Sequence, residues 1–271
     1  MRKGYSLTAE ALLYSVVLKK KAGIYGVENV LAGMGAEAYP GFVRRAEEDL
    51  EACGAGELDF GGGLSLTEEF DELMDLCTDC AGVVAVDLRD EKGAGHMTFY
   101  LGNGQVPVLV AADGGYVLYP EAQGTELLED FLQLPENKLH FTRCRLEGSS
   151  AARAEVQEFT AQGLREEDGA FLVRALRGEH CFCQVSRIEG FEKNGFLPFV
   201  YFPGGCAEIR TEYDSEHEYL VFEAVEREKL MERIKGMLNE EMATSFGDNE
   251  YEGIEAPPEE EEEAVPEDGE L

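Results

Sequence analysis

The chain has 271 residues, with 23 Lys and Arg against 56 Asp and Glu, and its formal net charge is −33. Hydrophobic residues make up 44 % of it, which is enough for a sizeable core and excludes disorder of the whole chain. The charge disfavours nucleic acids and anionic membranes, because both would be repelled at long range. No apolar stretch approaches the roughly 18 residues that cross a bilayer. Glu10 also interrupts the only candidate signal segment, so we expect a cytoplasmic protein without direct membrane binding.

The first half of the sequence predicts helices, then a β-meander, then a closing helix. Apolar residues at helical spacing predict four helices, which carry Leu7, Ala11, Tyr14 and Leu18 behind an N-cap of Ser6 or Thr8; Ile24, Val27, Val30 and Leu31; Phe42, Ala46 and Leu50 behind Pro40; and Leu66, Phe70, Leu73 and Cys77 behind a capping box of Ser65 and Glu68. Alternating apolar residues then predict strands near 84–88, 97–101, 106–110 and 116–119, with turns at Asn103-Gly104 and Asp113-Gly114-Gly115. A helix over 125–134 closes this half, and Pro135 stops it.

The second half repeats that order of elements. Weaker helices near 156–162 and 169–176 precede strands over 180–187, 196–202, 206–212 and 218–224, and an amphipathic helix carrying Leu230, Met231, Ile234 and Leu238 follows them. Runs of strands flanked by runs of helices predict an α+β fold. We expect a central antiparallel β-sheet built from two pseudo-repeated halves, each with helices, a β-meander and a closing helix, and flanking helical bundles.

Three segments follow from this organisation. The N-terminal half covers residues 1–135, and the C-terminal half of the same domain covers 136–247. Residues 248–271 contain 12 acidic residues and no Lys or Arg, which predicts a disordered acidic tail. Without the tail, the body over 1–247 still carries −21 of the total of −33.

Candidate chemical motifs are few. Cys77-x-x-Cys80 has the spacing of half a zinc site, but no second pair completes it, and Cys77 continues an apolar stripe. The four histidines lack the spacing of a metal site or a catalytic triad. Seven cysteines, an odd number, are typical of reduced intracellular thiols. The sequence therefore predicts no catalytic residues, no metal and no cofactor, and a protein that is not an enzyme.

Aromatic residues crowd the segment that follows Ile188. They are Phe191, Phe196, Phe199, Tyr201 and Phe202. Alternation along a strand places Phe199 and Tyr201 on one face and Phe196 and Phe202 on the other, so burial of one face does not hide all of them. Two interpretations stay open: these side chains pack onto a neighbouring helix, or they form a partner-binding surface.

A second pattern runs through residues 5–135. It comprises the opening helix LTAEAL, the helix around 43–53 leading into 66–76, the strands 83–88 and 98–101, the hairpin VPVLVAADGGYVLYP over 106–120, and the closing helix 126–134. This succession resembles the EspG-like chaperones associated with type VII (ESX) secretion. The resemblance is carried by apolar patterns and turns, and the second half shares only the order of its elements.

The resemblance implies a cytosolic, non-catalytic chaperone that holds a helical type VII secretion substrate by its apolar tip and keeps it soluble for export. In the family, a sheet-borne loop and the C-terminal helical part bind the substrate. The corresponding regions of this chain are Arg89–Gly95 and Phe191–Phe202. The strong acidity and the tail depart from the family pattern.

Two other functions fit the composition. An immunity protein that neutralises a co-encoded toxin would also be small, acidic and without catalytic residues. A winged-helix-like regulator would account for three N-terminal helices and a glycine-rich hairpin over Leu58–Leu64, although the acidic body disfavours contact with DNA. The identity of the neighbouring genes distinguishes a secretion substrate from a toxin as the partner.

Overall fold

A computed structural model describes residues 4–239 apart from 59, 60, 62, 92, 103, 104, 113, 121–123, 152, 191 and 216. Three sequence predictions therefore lie outside the described residues: the acidic tail over 248–271, the turn at Asn103-Gly104 and the aromatic Phe191.

The described elements form two successive groups. Each group contains a short first strand, then helices, then a run of strands and a closing helix. The strands are β1 (Tyr5–Leu7), β2 (Gly56–Leu58), β3 (Leu64–Leu66), β4 (Gly82–Asp90), β5 (Gly93–Leu101), β6 (Val108–Ala112), β7 (Gly115–Tyr119), β8 (Arg143–Glu147), β9 (Cys181–Glu189), β10 (Glu192–Phe202), β11 (Gly205–Tyr213) and β12 (Glu218–Ala224). The helices are α1 (Ala9–Leu18), α2 (Tyr39–Cys53), α3 (Glu68–Thr78), α4 (Gly124–Leu132), α5 (Gly148–Ala151), α6 (Val156–Ala161), α7 (Glu166–Leu176) and α8 (Arg227–Met237).

Within the described residues, one antiparallel sheet contains ten strands in the order β1-β7-β6-β5-β4-β9-β10-β11-β12-β8. This order consists of two meanders joined where β4 pairs with β9, from Gly82 opposite Glu189 to Arg89 opposite Phe182. In each half, a strand that precedes the helices returns to the outer edge: β1 pairs with β7, and β8 pairs with β12. The predicted α+β fold, with two pseudo-repeated halves around an antiparallel sheet, is confirmed.

The closing helices α4 and α8 cover the same face of the sheet. Strand residues from both halves meet them there, including Val84, Val86, Phe99, Val185 and Phe199. The helices contribute Leu128, Leu132, Leu230, Ile234 and Met237 to this core. Burial of so many apolar side chains stabilises the fold by about 1.5–3 kcal/mol for each large one, so the join between the halves is a major source of stability.

The opposite face of the sheet carries two separate cores. In the first half, residues of α1, α2 and α3 pack on Val83, Tyr100, Leu109 and Leu118. In the second half, α6 and α7 pack on Val200, Phe202, Ala207 and Phe222. Helices therefore cover both faces of the sheet. Side chains on either face of a strand point into a hydrophobic core.

The predicted second helix around Ile24 and Leu31 is wrong. Residues 19–38 form turns and irregular chain, in which Gly26 and Gly33 have φ values of +79° and +80°. Glycine adopts this left-handed conformation without strain, whereas a helix requires negative φ. Hydrogen bonds hold the segment on the sheet: the Tyr100 hydroxyl donates to the Tyr25 carbonyl at 2.6 Å, and Glu28 N–H donates to the Tyr116 hydroxyl at 3.0 Å.

The predicted capping box at Ser65 and Glu68 is also wrong. Ser65 lies in β3, and α3 begins at Glu68 behind Thr67 as its N-cap. The strands β2 and β3 flank the glycine-rich segment, pair antiparallel and precede α3, in the order that the sequence predicts. The short strands β1 and β8 have no counterpart in the sequence prediction. Among the described residues, no helix is both long enough and apolar enough to cross a membrane.

Candidate partner-binding site

The structure separates the aromatic residues that the sequence singled out. Phe199, Tyr201 and Phe202 are buried, with 0 %, 7 % and 8 % of their surface exposed, whereas Phe196 is 54 % exposed. Phe199 and Tyr201 lie in the core beneath α4 and α8, and the ring of Phe202 stacks on Phe171 of α7 with centroids 4.3 Å apart. Of the described members of this set, Phe196 alone offers an apolar surface to a partner.

The two regions implied by the resemblance meet at one end of the sheet. Because β4 and β9 are antiparallel, the β4–β5 turn within Arg89–Gly95 lies beside the start of β9 and the end of β10. Phe202 therefore approaches this turn. Phe196 lies six residues earlier on β10, about 20 Å away along the strand. Strand β10 (Glu192–Phe202) thus contributes to two distinct surfaces.

A cavity of about 330 Å³ occupies the end of the sheet where these regions meet. The β4–β5 connection, the end of β10, the chain after α4 and the joint between α7 and β9 form its walls. Residues on these walls include Asp90, Glu91, Gln133, Arg174, Glu179, His180, Tyr201 and Phe202. Concave sites with apolar walls and a few convergent polar groups are typical of ligand or partner binding.

Charged and aromatic groups shape the wall formed by α7. The guanidinium of Arg174 lies over the Phe202 ring, 4.2 Å from its centroid, and 4.0 Å from a carboxylate oxygen of Glu179. Both contacts orient the arginine along the wall. Asp90 and Glu91 add carboxylates on the β4–β5 side, so acidic groups outnumber the basic one around the cavity.

His180 contributes an unusual polar atom to the same cavity. Its Nδ1 is buried and has no hydrogen-bond partner among the residues that the structure describes. Burial lowers the pKa of His180 below its ordinary value, and a hydrogen bond with the Arg174 backbone opposes this in part. An unsatisfied buried polar atom costs about 1–3 kcal/mol.

Two further groups on the cavity wall are held in their neutral forms. Burial raises the pKa of the Cys181 thiol, and it raises the pKa of Tyr201 well above the ordinary range. The two side chains lie close enough for each to shift the pKa of the other. Thiols react as thiolates, so Cys181 is a poor nucleophile at neutral pH. The neutral Cys181 and Tyr201 side chains suit this wall of the cavity to binding a partner rather than to nucleophilic attack.

The other cysteines form neither disulfide bonds nor a metal-binding cluster among the described residues. Cys77 is 2 % exposed and lies in the core with Phe70 and Leu73, as the packing interpretation predicts. All seven thiols are free. In the part of the chain that the structure describes, no group of three or more His, Cys, Asp or Glu side chains is placed to hold a metal ion.

The structure does join three residues that the sequence analysis left apart. Asp87 Oδ1 lies 2.6 Å from His96 Nδ1, and His96 Nε2 lies 2.7 Å from Thr98 Oγ1. This connectivity resembles a catalytic triad. However, Thr98 has no exposed surface, and the backbone of Gly26 lies so close that an added Cβ would clash with its hydroxyl. This hydrogen-bonded chain of three side chains, called the relay below, connects β4 with β5 beneath residues 19–38. A substrate has no access to the Thr98 hydroxyl.

Sequence reasoning missed Arg174 and His180 as site residues. Both lie outside the segments implied by the resemblance, and they reach the cavity only because β9 lies between β4 and β10. Only knowledge of the β4–β9 pairing could have identified them. This pairing joins segments about one hundred residues apart, and the local pattern of apolar residues does not reveal it.

Comparison with known proteins adds one finding. No family model matches the sequence, and no curated protein matches it. Among solved structures, the chain is similar to the type VII secretion system chaperone EspG5 of Mycobacterium tuberculosis, which was solved in complex with the PE25–PPE41 dimer. The sequence identity is 11 % and the TM-score is 0.55, over 86 % of this chain and 94 % of that one. At this identity, the likeness shows a shared EspG-like fold.

Proposed function

We propose that this chain is a cytoplasmic, non-catalytic chaperone or adaptor that binds a helical type VII secretion substrate and keeps it soluble for export. The observation that carries the proposal is the extent of the shared fold, which covers 94 % of the EspG5 chain. EspG5 is a chaperone, and its structure contains the PE25–PPE41 dimer. A fold can host several functions, so the proposal also rests on the site.

The cavity at the end of the sheet is the proposed contact region. It brings Asp90 and Glu91 of the β4–β5 connection together with Arg174 and His180 near the end of α7. Asp90 and Glu91 belong to one of the two regions that the resemblance implies for substrate binding, and Tyr201 and Phe202 at the same cavity belong to the other. A few well-packed anchors supply most of the affinity of such interfaces, so a side chain of the partner that enters the cavity would dominate binding.

The charge of the chain supports a chaperone role. A net charge of −33 opposes self-association through exposed apolar groups such as Phe196. The same charge favours a partner with a basic or neutral contact surface. A secreted substrate or a toxin would meet this requirement, and the partner must therefore be identified directly.

Co-expression with the products of neighbouring genes, followed by affinity purification of the full chain, tests the proposal. We expect a stable complex with a secreted helical protein, weakened at least about tenfold by Glu91→Lys at the cavity. Tyr213→Ser is the matched control, because Tyr213 is 73 % exposed but lies outside the cavity. Deletion of residues 248–271 should leave binding intact.

Two outcomes would contradict the proposal. Capture of a toxin whose activity the chain abolishes would establish an immunity protein instead. Equal binding by Glu91→Lys and the unchanged chain would remove the cavity from the interface. Phe196→Ser, measured in parallel, shows whether the second surface takes part in binding.

A further inference from the structure

The two edges of the large sheet differ in their protection. At the β1 edge, α2 lies alongside, and Asp49 accepts hydrogen bonds from the Thr8 backbone N–H at 2.7 Å and from its hydroxyl at 2.9 Å. At the β8 edge, Arg143, Arg145 and Glu147 are exposed. An open edge strand is a template for pairing with another strand.

The hydrogen-bond parity of β8 determines which groups face outward. Ala224 N–H donates to the Thr142 carbonyl at 3.1 Å, directly before the ladder in which Arg143 lies opposite Glu223. In an antiparallel pair, hydrogen-bonded and non-hydrogen-bonded positions alternate. Cys144 and Leu146 therefore bond to β12, whereas the backbone groups of Arg143 and Arg145 and the N–H of Glu147 point toward the open edge. The Glu147 carbonyl accepts the first hydrogen bond of α5.

The side chains of β8 are complementary to a second β8 in antiparallel orientation. A two-fold axis at Arg145 places Arg143 opposite Glu147 of the second copy, and it does so twice. On the other face, Cys144 lies opposite Leu146 of the second copy, and both residue types are apolar. Opposite charges at directly paired positions stabilise a strand pair. In the single chain Arg143 already pairs with Glu212, at 2.6 Å, so Glu147 of the second copy would share this guanidinium with Glu212.

The central position requires a separate argument, because the axis brings two Arg145 side chains together. In this chain, the Arg145 guanidinium lies 3.5 Å from the centre of the Tyr219 ring, 3.6 Å from Asp214 and 3.8 Å from Glu212. These groups hold the side chain against β12 and compensate its charge. Arg145 therefore opposes the pairing less than an unpaired arginine would.

We propose that β8 pairs antiparallel with β8 of a second copy of this chain, so that one sheet continues through a two-fold axis at Arg145. β8 has five residues, far fewer than the roughly 20–30 residues per side of a stable interface. The net charge of each copy, −33, also opposes association. The dimer should accordingly be weak and dependent on protein concentration. This inference is independent of the proposed chaperone function.

Sedimentation velocity of the full chain over a concentration series tests the inference. The chain should show a reversible monomer–dimer equilibrium. Arg143→Glu places like charges opposite each other twice and should raise the dimer dissociation constant at least about tenfold. The double variant Arg143→Glu with Glu147→Arg restores the opposite charges with reversed polarity, so it should recover much of the association.

A matched pair of substitutions at Arg145 separates backbone pairing from side-chain effects. Arg145→Pro removes the outward N–H and leaves the bonds to β12, so it should abolish the dimer. Arg145→Ala keeps the N–H and removes the central like-charge contact, so its dimer should persist. Circular dichroism confirms that each variant is folded. A chain that stays monomeric at every concentration, or a folded Arg145→Pro variant that dimerises normally, would overturn the inference; if Arg145→Pro fails to fold, the charge-swap pair decides.

Discussion

The guanidinium of Arg187, on β9, donates a hydrogen bond to the carbonyl oxygen of Met237, at the end of α8, over 2.9 Å. The same nitrogen reaches the carbonyl of Asn239 at 3.1 Å, and a second part of the guanidinium bonds to Glu189. Arg187 is only 6 % exposed. It therefore supplies donors to carbonyls that a helix end leaves without intrahelical partners, and it fixes α8 on the join between the two halves.

We expect Arg187→Ala to lower the free energy of unfolding by about 2–3 kcal/mol, because it leaves buried carbonyls without a donor. Urea denaturation monitored by circular dichroism measures the change. Arg44→Ala is the control: the Arg44 side chain is 76 % exposed and, among the residues that the structure describes, pairs only with Glu48, so its loss should cost less than about 0.5 kcal/mol. Equal midpoints for the two variants would contradict a capping role for Arg187.

Gly26→Ala should destabilise the chain by more than about 2 kcal/mol, because the substitution combines backbone strain with a steric clash. The φ value at Gly26 is +79°, and an added Cβ would lie 2.9 Å from His96 Nε2 and closer still to Thr98 Oγ1. Gly33→Ala isolates the strain, since Gly33 has φ +80° but no atom within 4 Å of an added Cβ. Its cost should be about 1 kcal/mol. Thermal unfolding of both variants checks the difference, and equal destabilisation would argue against close packing over the relay.

The stability of the chain should fall in acid partly through His180. Burial lowers the pKa of His180 below the ordinary value of 6.5, so the unfolded chain takes up a proton at a pH where the folded chain does not. The contribution of this group is complete above pH 6.5 and is lost as the pH falls through the lowered folded-state pKa. Replacement by glutamine, which does not titrate, should reduce the loss of unfolding free energy between neutral and mildly acidic pH. An unchanged pH dependence in His180→Gln would show that the histidine is solvated.

Cys77 and Cys183 should resist alkylation in the folded chain. Burial raises the pKa of both thiols well above their ordinary range, and alkylation requires an accessible thiolate. Mass spectrometry after iodoacetamide treatment at neutral pH should find both thiols unmodified in the native chain and modified in urea. Rapid native labelling of either residue would show that its part of the core opens readily.

The central strands were predictable because local patterns determine them. Val84, Val86 and Leu88 alternate along β4. For β12, the last strand in chain order, the predicted bounds Glu218–Ala224 equal the observed ones. The short strands β1 and β8 were not predictable, since β1 has only three residues, β8 carries only two apolar residues among charged ones, and their pairing partners lie far along the chain. The helix expected near Ile24 failed because glycines outweigh a sparse apolar stripe.

The candidate site was predictable only in part. The loop Arg89–Gly95 was identified through the resemblance, and the structure places its Asp90 at the cavity. Alternation could not establish whether Phe199 and Tyr201 are buried, because helices cover both faces of this sheet and either face of β10 points into a core. Partner binding by the aromatic residues as a group stays a prediction, with Phe196 its accessible member.

The pairing of β4 with β9 also bears on synthesis of the protein at the ribosome. Translation proceeds from the N-terminus at about 5–20 residues per second, so the first meander emerges well before Cys181–Glu189 exists. During that interval, the apolar strand Gly82–Asp90 has one side without its eventual neighbour, and exposed strands of this kind promote misassembly. The nascent chain is therefore most vulnerable to aggregation, and most dependent on general folding factors, between completion of its first half and arrival of β9.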